Sequence, residues 1–170
     1  MDQQSEKTLF EATLVFLIKE QRVLLARKTR HIGGGCWNGY GGGPEPNETL
    51  PFSAVRELKE ESGVIVNPRQ LEKVAEMTFH NTKSDGSKFS CLVHVYFARS
   101  WKNEARESEE MITPRWFPFH QLPTNEMMPA DAVWVPIILS GKRIVGEAWY
   151  GPKQKELLSE VLIREVEGFN

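Results

Sequence analysis

Apolar positions fall mostly in short strand-like runs, and one stretch in the first half of the chain repeats them at helical spacing instead. Leu50, Ala54, Val55 and Leu58 recur at three- and four-residue intervals with polar residues between them, the stripe of an amphipathic helix. Pro51 suits a first turn, which needs no N–H there, and Gly63 stands where a left-handed C-terminal cap is expected. Residues 8–18 are rich in β-branched and aromatic side chains and predict a buried strand; residues 19–22 turn, and 23–27 return as its hairpin partner. Residues 71–80 and 89–99 predict two further strands about a polar turn with Asp85-Gly86 at its tip. An acidic surface loop, 104–111, precedes a strand at 114–117, and 125–139 read as a loop entering a second helix, with Asp131 near its N-cap. Residues 143–150 predict a final strand, while 156–169 fit helix or strand equally. The sum is an α+β fold in one domain, residues 1–170, with residues 1–7 a frayed tail.

Composition narrows the class without choosing a chemistry. A chain of 170 residues, 40% hydrophobic and 26% charged, is long enough for one proper core. A net charge of −2 and a pI near 6.1 argue against a broad footprint for duplex nucleic acid, so phosphate binding would be local and metal-assisted. Cys36 and Cys91 form neither a disulfide framework nor a zinc spacing, and no run approaches a membrane span. A cytoplasmic monomer is the simplest expectation.

Two stretches carry candidate chemistry. Residues 33–43 hold seven glycines in eleven positions around Cys36, Trp37, Asn38 and Tyr40. A linker is the bland reading, but the aromatic residues favour a tight strand and loop beside a ligand. At about 100° per residue, Glu57, Glu60 and Glu61 fall at about 0°, 300° and 40° around the predicted helix, so three carboxylates converge on one side. Like charges one turn apart oppose a helix by roughly a few tenths of a kcal/mol per pair. A solvated acidic face would explain them; so would Mg²⁺, a hard cation usually held by a few carboxylates and substrate phosphates, with Arg56 orienting the carboxylates. His94 reads as a satisfied sheet histidine, and one glutamate of the acidic loop is within reach of the same site.

The spacing Gly42, Glu48, Arg56-Glu57-Leu58, Glu60-Glu61, Gly63-Val64 resembles the signature of the Nudix hydrolases at nine specified positions in 23 residues. The resemblance implies the Nudix fold, a mixed β-sheet with helices packed on it as an α/β/α sandwich, and hydrolysis of nucleoside diphosphates linked to another group, with Mg²⁺ or Mn²⁺. Outside the signature, residues 22–25, 37–39 and 93–95, Trp116-Phe117, and Met128 to Asp131 with Trp134 are similar to the MutT-homologue enzymes acting on oxidised purine nucleoside triphosphates. This implies a nucleotide-pool sanitising enzyme of the 8-oxo-dGTP diphosphatase type, preventing DNA damage and releasing a nucleoside monophosphate and pyrophosphate. Metal contacts would come from Gly42, Glu57, Glu60, Glu61 and Glu110, with Arg56 positioning the carboxylates and Glu60 a candidate base.

By the same resemblance, Thr13, Ile32, Asn38, Met128, Asp131 and Trp134 would bind the base. Read alone, Asp131 is a helix cap and Met128 and Trp134 are core. The subgroup commonly has an aromatic at the Met128 position and paired aspartates where this chain has Ala130-Asp131. Lys28, Arg30 and His31 would suit a longer phosphate chain or an RNA 5′-triphosphate end. A non-catalytic nucleotide sensor on the same fold is a further alternative, disfavoured because a sensor has no need of the complete glutamate set.

Overall fold

The computed structural model describes residues 8–30 and 32–169; the expected tail, residues 1–7, and His31 lie outside the described residues. In chain order the elements are β1 (Glu11–Lys19), β2 (Arg22–Lys28), β3 (Trp37–Asn38), β4 (Tyr40–Gly42), α1 (Leu50–Ser62), β5 (Glu72–Thr82), β6 (Lys88–Ala98), β7 (Met111–Pro118), α2 (Asp131–Leu139), β8 (Arg143–Pro152) and β9 (Leu162–Val166). The strands form one mixed sheet ordered β3-β2-β1-β6-β5-β8-β9, with β4 added to β1 and β7 to β2. β1 runs parallel to β6 and β5 parallel to β8.

Strand alternation places two helices on opposite faces. Val15, Leu17, Leu24, Ala26 and Tyr40 pack with Ala54 and Leu58 of α1, whereas Phe16, Ile18, Val23 and Leu25 pack with Trp134, Val135 and Ile138 of α2. The expected α/β/α layering follows. One edge of β1 is divided, with β2 pairing at residues 17–19 and β4 at residues 13–15, so the sheet forks at the glycine-rich stretch. There β4 lies against α1, and Gly41 crosses the Thr13 carbonyl too closely to carry a side chain.

Several local expectations change. β1 begins at Glu11 rather than Thr8, and Phe10 just before it is 70% exposed. The ambiguous C-terminal segment becomes β9, an edge strand whose backbone pairs antiparallel with β8. Ala130, not Asp131, occupies the cap of α2, and no side chain caps it. Gly63 does take the predicted left-handed conformation at φ 78°, its N–H donating to the Lys59 carbonyl at 2.8 Å. His94 is satisfied as expected, with Nε2 3.0 Å from Glu11 Oε2 and Nδ1 2.9 Å from Lys73 Nζ. No helix among the described residues is long and apolar enough to cross a membrane.

Candidate active site

α1 offers its glutamates to the fork of the sheet because its opposite arc, Ser53, Ala54, Leu58 and Ser62, is buried. Arg56 organises that side. Its Nε donates to Glu48 Oε2 at 2.7 Å and its Nη2 to Glu48 Oε1 at 2.8 Å, a bidentate pair. Nη1 donates to Glu57 Oε1 at 3.0 Å and Glu60 Oε2 at 3.3 Å, and Nη2 also reaches the Gly43 carbonyl at 3.1 Å. One guanidinium thus ties the glutamates to the loop before the helix. The Arg56 hydrogen bonds hold the Glu48 carboxyl down at about 2.

Glu61 stands apart. Its Oε2 accepts the Gly41 N–H at 3.3 Å, and burial, then the nearby Glu57 charge, push its pKa up to about 8. Glu110 also contributes to that rise, so the acidic loop does bring its last carboxylate toward the helix; Glu110 itself accepts from Arg30 Nη2 at 3.3 Å. The three helix carboxylates share a side as their spacing predicts, but they are not gathered at a point. The Arg56 guanidinium lies between Glu57 and Glu60, and among the described residues no three acidic, His or Cys side chains are close enough to form a metal cluster as they stand. Like charges in a partly dry site separate around the available cation.

A divalent cation fits this donor set. The groups are carboxylate oxygens, and Gly42 leaves open the space in front of Glu57, where a Cβ would stand 2.5 Å from the carboxyl carbon. Burial and the Glu57 and Glu110 charges raise Glu61, and a bound cation would offset that crowding of negative charge. Tyr40 adds a buried hydroxyl without a hydrogen-bond partner among the described residues, and the Glu61 charge acts on it.

The expected base-binding residues separate into groups. Asp131 and Trp134 meet directly: both are buried, and Trp134 Nε1 donates to Asp131 Oδ1 at 2.9 Å. Burial raises Asp131 to about 7. Met128 is buried too, its sulfur 3.0 Å from where a Gly33 side chain would begin, one residue from the half-buried Ile32. Asn38, on β3, turns its Oδ1 back to accept the Gly39 N–H at 2.8 Å. Thr13 faces the other way: it shares a sheet face with Val15 and Leu17, on the α1 side, and its hydroxyl donates to the Gly42 carbonyl at 3.4 Å. Its side chain therefore belongs with the carboxylate site rather than with Trp134.

Lys28 links the two regions, since its charge lowers both Glu61 and Asp131. Sequence reading singled out Lys28 but missed Cys36 and Tyr150. Burial and then Asp131 raise the Cys36 thiol, and the Tyr150 hydroxyl accepts the Ala130 N–H at 2.8 Å, fixing the entry of α2. The alternation of β8 marks Tyr150 as inward-facing, but no local signal joins it to Ala130.

Comparison with known proteins gives the family and the fold. The NUDIX domain model matches residues 8–136. The oxidized purine nucleoside triphosphate hydrolase of Mus musculus is 37% identical over 157 residues, covering 92% of this chain and 96% of that protein. The Danio rerio protein of the same name is 38% identical over 134 residues, covering 79% and 82% respectively. The crystal structure of a MutT protein from Bacillus halodurans superposes with a TM-score of 0.72 at 23% identity, covering 91% of this chain and 96% of that one; it supports the fold.

Proposed function

Since the chain belongs to the Nudix family, we propose that it hydrolyses oxidised purine nucleoside triphosphates to the nucleoside monophosphate and pyrophosphate, using Mg²⁺ or Mn²⁺. The observation that carries this reading is the complete glutamate set organised by Arg56 beside Gly42, in a chain similar over nearly its whole length to enzymes named for that substrate.

Glu57, Glu60 and Glu61 would hold the cation, with Glu110 as a further contact. When bound, the ion neutralises phosphate oxygens and polarises a water for in-line attack. Water adds to phosphorus, the bridging P–O bond breaks, and pyrophosphate leaves. Arg56 keeps Glu57 and Glu60 in register while charge moves through the site. Glu60, 58% exposed at the outer end of the set and held by Arg56 at 3.3 Å, is the candidate to accept the water's proton. Lys28, placed to feel both Glu61 and Asp131, would neutralise the phosphate nearest the sugar.

Across the sheet, Asp131 near pH 7 is poised to donate when protonated or accept when ionised at a purine edge, while Met128 and Trp134 wall the base and Asn38 offers an amide. Release of pyrophosphate from oxidised and ordinary purine triphosphates, dinucleoside polyphosphates and triphosphorylated RNA, with Mg²⁺ and with Mn²⁺, tests the proposal. A higher kcat/KM for oxidised purines supports it, and preference for RNA ends overturns it.

A further inference from the structure

A cavity of about 710 Å³ adjoins the carboxylate site on its outer side. At about 100° per residue, with Glu57 at 0°, the arc from about 300° to 40° carries the proposed metal ligands, and Lys59, Gly63, Arg56 and Glu60 occupy the neighbouring arc from about 200° to 300°. These four residues line the cavity, which Ile65, Asn103, Glu104 and Arg106 close from the other side. Glu60 therefore belongs to both arcs, and Arg56 links them by its bonds to Glu57 and Glu60.

The charges of this cavity are unevenly matched. Arg56 is fully engaged with carboxylates, but the Lys59 and Arg106 side chains have no hydrogen bond or ion pair with any described residue. Glu60 is held by Arg56, leaving Glu104 as the other acidic group in the lining. Arg106 is also fixed in place, its backbone N–H donating to the Ser62 carbonyl at 2.9 Å and its side chain lying over Gly63. Both cations favour the negative end of α1, which accounts for their location; it does not account for a cavity between them.

The order of groups gives the cavity a direction. Glu61 contacts Gly41 under the sheet, Glu57 lies beneath Gly42, and Glu60 is outermost, 58% exposed at the cavity's rim. A nucleotide with its base on the Asp131 side and its scissile anhydride at the glutamates would extend its terminal phosphates outward past Glu60. We infer that the cavity between the end of α1 and residues 103–106 receives those phosphates and the departing pyrophosphate, with Lys59 and Arg106 as the binding cations. This deepens the proposed function and rests on it for the substrate's direction.

The test is calorimetric titration of the 170-residue protein with inorganic pyrophosphate in Mg²⁺, alongside a nucleoside monophosphate. Lys59→Gln and Arg106→Gln together should weaken pyrophosphate at least tenfold and leave the monophosphate unchanged, and Arg106→Lys should recover much of the loss. A purely structural role at the helix end would lower Tm and weaken both ligands alike, which overturns the assignment; so does unchanged pyrophosphate affinity, or wild-type protein that does not bind it. If Arg106→Gln fails to fold, the exposed Lys59→Gln alone should still weaken pyrophosphate several-fold, and no change there overturns the inference. Arg106-dependent pyrophosphate binding stands even where oxidised purine triphosphates are not turned over, so the two readings fail separately.

Discussion

Gly42→Ala isolates the geometry of the site from its stability. The added methyl carbon would lie 2.5 Å from Glu57 Cδ and 2.6 and 2.8 Å from its two oxygens, well inside contact distance. Either β4 or Glu57 must move. β4 is paired through Thr13↔Gly42, Leu14↔Gly41 and Val15↔Tyr40, and lies against α1, so the strand is the stiffer partner. Glu57 is the end of a flexible side chain and yields first, losing its 3.0 Å bond from Arg56. Swinging a side chain away costs about 1 kcal/mol or less, which for a chain of this size lowers Tm by about 2–4 °C. A displacement of about 1 Å at a catalytic group costs about 100-fold in rate. We therefore expect kcat/KM to fall about 100-fold in a metal-dependent pyrophosphate-release assay, with a nearly unchanged thermal melt. Activity within threefold of wild type in a folded variant would refute the placement of Glu57 at the reacting centre.

Arg56→Ala takes the guanidinium away from Glu48 and Glu57, whose side chains are only 15% and 17% exposed, and should destabilise by about 2–3 kcal/mol, below the 3–5 of a fully buried pair because Arg56 is itself 22% exposed. The Glu48 carboxyl, held down at about 2, contributes stability that is present above its unfolded value of 4.5 and lost as pH falls toward 2; acid denaturation monitored by circular dichroism should become less steep in Glu48→Gln. Glu61→Gln should abolish nearly all metal-dependent turnover yet raise the Tm of the metal-free protein above pH 8. Its raised pKa means that stability present below 4.5 is lost as pH rises through about 8, and the neutral amide escapes that loss. Asp131→Ala should raise KM for the preferred purine about tenfold and for a pyrimidine far less, from one or two lost hydrogen bonds. Because Asp131 is raised to about 7, the wild-type KM should change between pH 6 and 8 and that of Asp131→Asn should not.

The carboxylate site was legible because its logic is local. Helical spacing puts Glu57, Glu60 and Glu61 on one side, Pro51 and Gly63 bound the helix, and those dependences act within a few residues. The base-binding side was less legible: Asp131 looked like a cap until the fold placed its carboxyl against Trp134 Nε1 and gave the cap to Ala130. Thr13 matched a pocket position, yet strand alternation turns its hydroxyl to Gly42 on the opposite face.

By itself the chain determined the helix, its polar arc, the strand-rich pattern and the identity of the groups that can bind a hard cation, because these depend on short-range periodicity and on side-chain chemistry. Only the tertiary structure decided that Arg56 would join Glu48 to Glu57, that Glu61 would hold a proton to about 8, and that residues 162–166 would be a strand. The Glu61 pKa depends on burial and on charges brought in by distant segments, and β9 forms because β8 offers it an edge to pair with. Desolvation and strand pairing act through space, so they arise only when the fork of the sheet, α1 and the acidic loop have been assembled around the same few ångströms.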